Sequence, residues 1–156
     1  MKKKIISFGI LFLAMIMTVN AAYVNIVSDK TVEFYNDTNS KWNNAELAWV
    51  HPNWPADIID DPDAKWIWRT WNVTQDEAVN GSTVQFKKTF EIPNTATSFL
   101  ESNIDISTDD RYTLYFNGVE LGSDGSFPVA ESYDLTPYLQ KGTNTIEITA
   151  VNNPMS

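Results

Sequence analysis

Tryptophan is concentrated in one part of this 156-residue chain, because all six tryptophans lie between positions 42 and 71. Trp49 and Trp54 flank the only histidine, His51, and its neighbour Asn53 in the segment WVHPNWP. Aromatic rings offer flat apolar faces on which sugar rings stack, while amide and imidazole groups hydrogen-bond hydroxyls. The segment therefore predicts a loop that binds a carbohydrate through Trp49, His51, Asn53 and Trp54. The alternative is that these tryptophans pack in the core.

Four aspartates follow this loop within seven residues: Asp57, Asp60, Asp61 and Asp63. Hard cations such as Ca²⁺ bind several oxygen ligands, which one loop often supplies. The spacing lacks the central glycine and the closing glutamate of an EF-hand. The sequence thus leaves two interpretations open, a structural calcium site and a solvated acidic loop, of which the solvated loop is favoured.

Catalytic motifs are missing from the sequence. The single histidine is not accompanied by a G-x-S-x-G segment, the chain has no cysteine, and it has no glycine-rich phosphate loop. A carboxylate pair for glycoside hydrolysis cannot be singled out among 20 acidic residues. We therefore predict no catalytic residue and expect a protein that is not an enzyme.

The charge balance narrows the possible partners. Eleven basic residues against 20 acidic ones give a net charge of −9. Nucleic acid is not an expected partner, because phosphate binding needs clustered lysine and arginine.

The N-terminus has the features of a secretory signal peptide. Three lysines, Lys2–Lys4, precede an apolar run from Ile5 to Val19, and Val19-Asn20-Ala21 fits a small-x-small cleavage site. The alternative, a retained anchor, needs about 20 apolar residues, and the run is shorter. We predict that residues 1–21 are removed and lie outside the fold. Residues 22–156 are then one secreted or cell-surface domain, with no membrane attachment after cleavage.

The rest of the chain shows short alternating runs that are typical of β-strands. The clearest is Thr83–Ile92, with Val84 and Phe86 on one face and Lys88 interrupting it. Further strands are predicted over residues 31–35, 65–71 (Trp66 and Trp68 on one face), 99–107, 111–117 and 144–151. Asn117-Gly118 predicts a type I′ hairpin turn, Thr136 and Pro137 predict one helical turn over 136–140, and Trp42 is expected to anchor a loop.

Residues 104–122 (IDISTDDRYTLYFNGVELG) and the later run YDLTPYLQKGTNTIEITAVN resemble the galactose-binding-domain-like β-sandwiches. These jelly-roll modules occur N-terminally in secreted α-L-rhamnosidases and family 2 glycoside hydrolases. The resemblance implies an all-β, antiparallel jelly-roll sandwich and a structural role for Asp109 and Asp110. It also implies a further strand after Asn152, whose apparent lack would leave an edge open to a further domain or a neighbouring chain. Such modules bind sugars, bind nothing, or brace an enzyme.

Together these features favour a secreted, non-catalytic carbohydrate-binding module. Two alternatives remain open. One is a structural or adhesion module of a cell-surface protein without a sugar ligand, and the other is a truncated accessory domain of a larger glycoside hydrolase.

Overall fold

The fold is described from a computed structural model. It covers residues 9–13, 17–19, 22–24, 26–48, 50, 58–70, 82–96, 99, 101–125 and 128–152. The strands are β1 (Gly9–Leu13), β2 (Met17–Val19), β3 (Ala22–Val24), β4 (Glu33–Asn36), β5 (Lys41–Asn44), β6 (Glu46–Leu47), β7 (Ile67–Trp68), β8 (Thr83–Ile92), β9 (Asn103–Asp109), β10 (Arg111–Phe116), β11 (Val119–Asp124), β12 (Glu131–Asp134) and β13 (Gly142–Val151). A 3₁₀ turn, η1, spans Thr136–Tyr138.

Six strands form the larger sheet, in the order β11-β10-β13-β8-β4-β5. Its centre is the antiparallel pair of β8 and β13, which are in register over ten residues, from Thr83 opposite Val151 to Ile92 opposite Gly142. Both strands alternate buried and more exposed residues, because successive side chains of a strand point to opposite faces. One face of this sheet therefore packs inward and the other is turned to solvent.

Five strands form the second sheet, in the order β12-β9-β1-β7-β6. Its middle strand, β1, pairs antiparallel with β9 from Gly9 opposite Asp109 to Leu13 opposite Asp105. On its other side, Ile10 lies opposite Ile67 of β7. In the full-length chain, a segment predicted to belong to the leader and to lie outside the fold thus forms the middle strand of this sheet. Aliphatic and aromatic residues suit a sheet strand as well as the apolar region of a leader. Cleavage after Ala21 stays a prediction.

The two sheets pack face to face around one core, as in a β-sandwich. Trp68 of the five-stranded sheet contacts Phe86 of the six-stranded sheet, with ring centroids 5.6 Å apart. The largest fully buried side chains come from both sheets: Trp68, Phe86, Phe116, Ile67, Ile92, Ile104, Ile106 and Leu114. The prediction of an all-β antiparallel sandwich with one short helical turn is confirmed. Among the described residues, no helix is long and apolar enough to cross a bilayer.

Trp66 and Trp68 are both buried, as expected, but the prediction that they share a face is wrong. Trp68 belongs to the main core, whereas Trp66 packs with Ile59 in a second, smaller cluster. The regular alternation stops here, because β7 is only two residues long and both Ile67 and Trp68 lie in the main core.

The hairpin turn between β10 and β11 has the predicted geometry. Asn117 and Gly118 both have positive φ angles, 49° and 79°, as a type I′ turn requires. The Asn117 side chain also binds neighbouring segments. Its Nδ2 donates to the Tyr138 carbonyl and to Asn144 Oδ1, both at 2.9 Å, and its Oδ1 accepts from the Thr145 backbone N–H at 2.8 Å.

The 3₁₀ turn lies where the helical turn was predicted, but Thr136 does not cap it. Leu135 occupies the N-cap position and makes no side-chain capping bond. Asp134 Oδ1 instead accepts the Thr136 N–H at 2.8 Å, and the Thr136 hydroxyl accepts the Ser102 N–H at 3.0 Å. Thr136 therefore ties the turn to the chain ahead of β9.

Candidate functional site

The predicted carbohydrate-binding loop, with Trp49, His51, Asn53 and Trp54, lies outside the described residues, as does Asp57. The other three predicted calcium ligands are Asp60, Asp61 and Asp63. Asp60 and Asp63 are exposed, and Asp61 Oδ1 accepts the Asp63 backbone N–H at 2.7 Å. Within the described ranges, no three acidic, histidine or cysteine side chains come together as metal ligands. The calcium site stays a prediction.

A different surface, the solvent-facing side of the six-stranded sheet, brings aromatic and polar side chains together. We call it the outer face and define it by Glu33, Tyr35, Trp42, Gln85, Lys87, Tyr115, Glu147 and Thr149. Strand register places these residues side by side. Tyr35 lies opposite Trp42, Glu33 opposite Lys87, Lys87 opposite Glu147, and Glu147 opposite Tyr115.

Trp42 stands at one edge of the outer face and is held by two contacts. The Tyr35 ring meets it edge-on, with centroids 5.5 Å apart and an interplanar angle of 64°. The Lys87 ammonium lies 4.0 Å from the centroid of the indole ring, a cation–π contact. Lys87 also forms an ion pair with Glu33 at 3.6 Å. These contacts order an indole that remains partly exposed.

A shallow depression of about 320 Å³ begins at Trp42 and crosses the outer face. It is lined by Trp42, Gln85, Phe86, Tyr115, Gly118, Glu147, Ile148 and Thr149. Its aromatic residues, Trp42 and Tyr115, come from strands that are four strand spacings apart, which is about 19 Å between backbones. The amide of Gln85 belongs to β8, and the carboxylate of Glu147 and the hydroxyl of Thr149 belong to β13, which are two of the three strands between them. The depression therefore combines flat apolar rings with hydrogen-bonding groups.

Tyr115 is oriented by a partner on the neighbouring strand. Partial desolvation and a hydrogen bond to the Glu120 carboxylate raise the pKa of Tyr115. With that proton directed to Glu120, the lone pairs of the tyrosine oxygen remain able to accept a hydrogen bond from a ligand hydroxyl.

The outer face carries more negative than positive charge. Glu33 and Glu147 contribute carboxylates, and Glu120 lies opposite Tyr115 on the neighbouring edge strand, while Lys87 contributes one ammonium that already faces Glu33 and the indole. An anionic ligand would meet like charges here, whereas a neutral polyhydroxylated ligand would find donors and acceptors.

The outer face was not predicted from the sequence, which indicated only a loop anchor at Trp42. Residues 41–44 (KWNN) form a short polar strand without an alternating apolar pattern. Lys87 and Tyr115 join Trp42 only through pairing between strands that lie far apart in the chain. A usable local signal was the polar side of β8, where Gln85 and Lys87 alternate with buried residues.

A second cluster of ionisable groups lies where β9 leads into β10. The carboxyl groups of Asp109 and Asp110 hydrogen-bond each other, and burial together with the Asp110 charge raises the pKa of Asp109 to about 7. Nearby on β10 and β12, the Tyr112 and Tyr133 hydroxyls lie 3.0 Å apart. Burial and this contact raise the pKa of Tyr112 above its usual range.

Comparison with known proteins gives a distant structural similarity. No protein family model matches the chain, and no curated protein matches it in sequence. Among solved structures, it is similar to the Bifidobacterium dentium beta-glucuronidase complexed with coumarin-3-O-glucuronide, with a TM-score of 0.47 and 19% identity. The match covers 92% of this chain but only 21% of that chain, so this chain corresponds to about a fifth of that protein.

Proposed function

We propose that this chain is a non-catalytic carbohydrate-binding module of the galactose-binding-domain-like type, exported after removal of residues 1–21. The observation that supports sugar binding is the depression on the outer face, where Trp42 and Tyr115 flank Gln85, Glu147 and Thr149. Rings of this kind stack on sugar C–H faces, and the polar groups between them hydrogen-bond hydroxyls.

The charge of the outer face selects the class of sugar. Because carboxylates outnumber the single ammonium among its defining residues, the ligand is a neutral glycan and not a uronic acid or a sulfated one. Lys87 does not reverse this preference, since its charge is already engaged by Glu33 and the Trp42 ring.

The decisive experiment is a glycan array with the folded protein and two variants. Trp42→Ala removes the ring at the edge of the depression, and we expect binding to weaken by about tenfold or more. Tyr138→Ala is the matched control, because Tyr138 is an aromatic residue that is 39% exposed outside the outer face. No binding by the unmodified chain, or equal binding by all three proteins, would rule out this site.

The loop predicted from the sequence is tested in the same array. Trp49→Ala and Trp54→Ala remove its aromatic rings, and His51→Ala and Asn53→Ala remove its polar groups. If these variants lose binding while Trp42→Ala keeps it, the sugar binds at the loop and the outer face has another role. If both sets lose binding, the glycan contacts both regions.

Three further parts of the proposal have direct tests. Chromogenic glycosides should release no product, in agreement with a non-catalytic role. The exported protein should begin at Ala22 when its N-terminus is sequenced. Thermal unfolding with Ca²⁺ and with a chelator tests Asp57, Asp60, Asp61 and Asp63, and a melting temperature that does not change would favour the solvated acidic loop.

A second candidate function is that of an assembly module without a sugar ligand, including an accessory domain of a larger glycoside hydrolase. The observation that favours it is the middle strand of the five-stranded sheet, which comes from the segment predicted to be removed. If no glycan on the array binds and native mass spectrometry shows a stable complex with another chain, this candidate is supported over the first.

A further inference from the structure

In the five-stranded sheet, β1 lies between β9 and β7, and we call the place that it fills the slot. On one side, five residues of β1 pair with β9, and on the other Ile10 lies opposite Ile67 of β7. The slot lies over the core, because Ile104 and Ile106 of β9 and Ile67 of β7 are each at most 1% exposed.

Removal of residues 1–21, which belongs to the proposed function, would empty this slot. Among the described strands, β9 would then keep only β12 as a neighbour, and its backbone groups facing β1 would lose their partners. Buried backbone groups without partners destabilise a fold, and the apolar side chains beneath would meet water. The mature chain therefore needs a new strand at this position.

The leader strand does not match all of the polar groups in the slot. The hydroxyls of Ser107 and Thr108 are buried, with residue exposures of 1% and 3%, and among the described residues they have no hydrogen-bond partner. Their register partners in β1 are Leu11 and Ile10, neither of which has a hydrogen-bonding side chain. A strand with Ser or Thr at these two positions could bond them across the sheet.

The two ends of the slot indicate the charge of its occupant. Gly9 lies opposite Asp109, whose carboxyl group contacts that of Asp110, and Leu13 lies opposite Asp105. A strand that runs like β1 starts beside the aspartate pair. Basic residues just before it would therefore face opposite charge, as positive groups near carboxylates are stabilised.

We propose that, once residues 1–21 are removed, the slot between β9 and β7 binds an extended strand from a second polypeptide, antiparallel to β9. The strand is apolar, has Ser or Thr at the register of Ile10 or Leu11, and is preceded by basic residues. In the full-length chain, β1 of the leader occupies this position.

The test uses the full-length chain with a specific protease site inserted after Ala21, so that the folded protein is cut without depending on natural processing. Fluorescent peptides of sequence KKGTSFL, KKGILFL and EEGTSFL are then added, and binding is followed by anisotropy. We expect KKGTSFL to bind one per chain and to release residues 1–21. It should bind at least about fivefold more tightly than the other two peptides, and high salt should reduce its advantage over EEGTSFL.

A variant tests whether the peptide binds in the slot. Thr108→Val removes one of the two hydroxyls without a hydrogen-bond partner and changes the volume little, so the preference for KKGTSFL over KKGILFL should diminish. If the cut protein loses its sheet signal in circular dichroism and KKGTSFL restores it, the proposal is supported. It is overturned if the peptide does not restore the signal, if the leader remains bound against excess peptide, or if the cut protein stays folded and binds none.

Failure of this test is distinguishable from failure of sugar binding. The slot lies in the five-stranded sheet, whereas the depression lies on the solvent-facing side of the six-stranded sheet. Trp42→Ala should therefore leave peptide binding unchanged, and a peptide in the slot should not compete with a glycan.

Discussion

The two sheets of the sandwich are built in different ways. The six-stranded sheet is organised around one long pair, β8 with β13, whose ten-residue register needs no help from the leader. The five-stranded sheet is assembled from shorter strands, and its centre is a segment of the leader. One sheet is thus complete within residues 33–151, while the other depends on an added strand.

The two proposed sites fall on different sheets. The long pair of β8 and β13 lies between the strands that carry Trp42 and Tyr115, so the proposed sugar site is on the six-stranded sheet. The proposed binding of a second polypeptide concerns the five-stranded sheet, at the position of β1.

The largest expected effect tests whether the sheets share one core. Phe86→Ala removes the ring that contacts Trp68 across the sandwich, and the loss of a buried aromatic side chain destabilises by about 3–5 kcal/mol. Chemical denaturation should show this loss, and hydrogen exchange should accelerate in both sheets. Acceleration confined to the five-stranded sheet would mean that the six-stranded sheet folds independently. Tyr138→Ala should change stability by no more than about 0.5 kcal/mol.

The next largest effect tests the hydrogen bonds of Asn144, which lies near the start of β13 in the six-stranded sheet. Asn144 is fully buried, and its Nδ2 donates to the carbonyls of Gln140 and Gly142, at 2.7 and 3.1 Å. Its Oδ1 accepts from the Gln140 N–H and from Asn117 Nδ2. Asn144→Ala leaves these groups unpaired and should destabilise by about 2–3 kcal/mol in denaturant unfolding. Asn144→Asp keeps the acceptor but loses the donors, so equal stability of this variant and the unmodified protein would contradict the assignment.

Two adjacent lysines, Lys87 and Lys88, allow a comparison of the outer and inner sides of β8, with smaller expected changes in stability. The Lys88 side chain is only 14% exposed and donates to Asp29 Oδ1 at 2.9 Å and to the Thr31 hydroxyl. Lys88→Met should destabilise by about 1–2 kcal/mol, because the Asp29 carboxylate loses its charged partner. Lys87→Met breaks the exposed contacts with Glu33 and Trp42 and should change stability by less than about 1 kcal/mol. If thermal unfolding shows the same loss of stability for both variants, the contacts of Lys88 on the inner side are worth no more than those of Lys87 on the outer face.

A further prediction concerns the pH dependence of stability and rests on the aspartate pair beside the slot. Since the folded-state pKa of Asp109 is raised to about 7, the folded protein binds more protons than the unfolded chain between pH 4 and 7. The free energy of unfolding should therefore fall as pH rises through this window, and Asp109→Asn should remove that contribution.

Asp134 is the matched control for this pH dependence. Hydrogen bonds from Thr136 lower the pKa of Asp134, so its contribution is present above pH 3.8 and is lost as pH falls below it. Asp134→Asn should therefore alter only the acid limb of the stability curve. Identical pH profiles for the two variants would contradict both assignments.

Much of the six-stranded sheet could be predicted from local sequence. Apart from Lys88, the sequence Thr83–Ile92 alternates apolar inward residues with polar outward ones, and the structure gives β8 the same bounds. Lys88 was the one exception in that pattern, and its ion pair with Asp29 accounts for a lysine on the inner side. Asn117-Gly118 was predictable because few residue pairs adopt two positive φ angles.

The five-stranded sheet was harder to predict, for two physical reasons. β12 consists of ESYD, in which Tyr133 is the only apolar residue, so its periodicity is invisible. β1 is apolar throughout, and an apolar run is typical of leaders as well as of buried strands. The outer face was not predicted because Trp42, Lys87 and Tyr115 lie on one surface only as a result of pairing between strands that are distant in the sequence. No local sequence pattern indicates that pairing.

The type I′ turn has a consequence for how the protein ages. An asparagine followed by glycine is prone to deamidation, in which the glycine nitrogen attacks the side-chain carbonyl carbon to form a succinimide. In Asn117 that amide is held by bonds to the Tyr138 carbonyl, Asn144 Oδ1 and the Thr145 N–H. The group cannot turn toward Gly118 without breaking them. The native fold should therefore slow the deamidation of this asparagine during long storage. The deamidation rate would then report how often this end of the sandwich opens and breaks these hydrogen bonds.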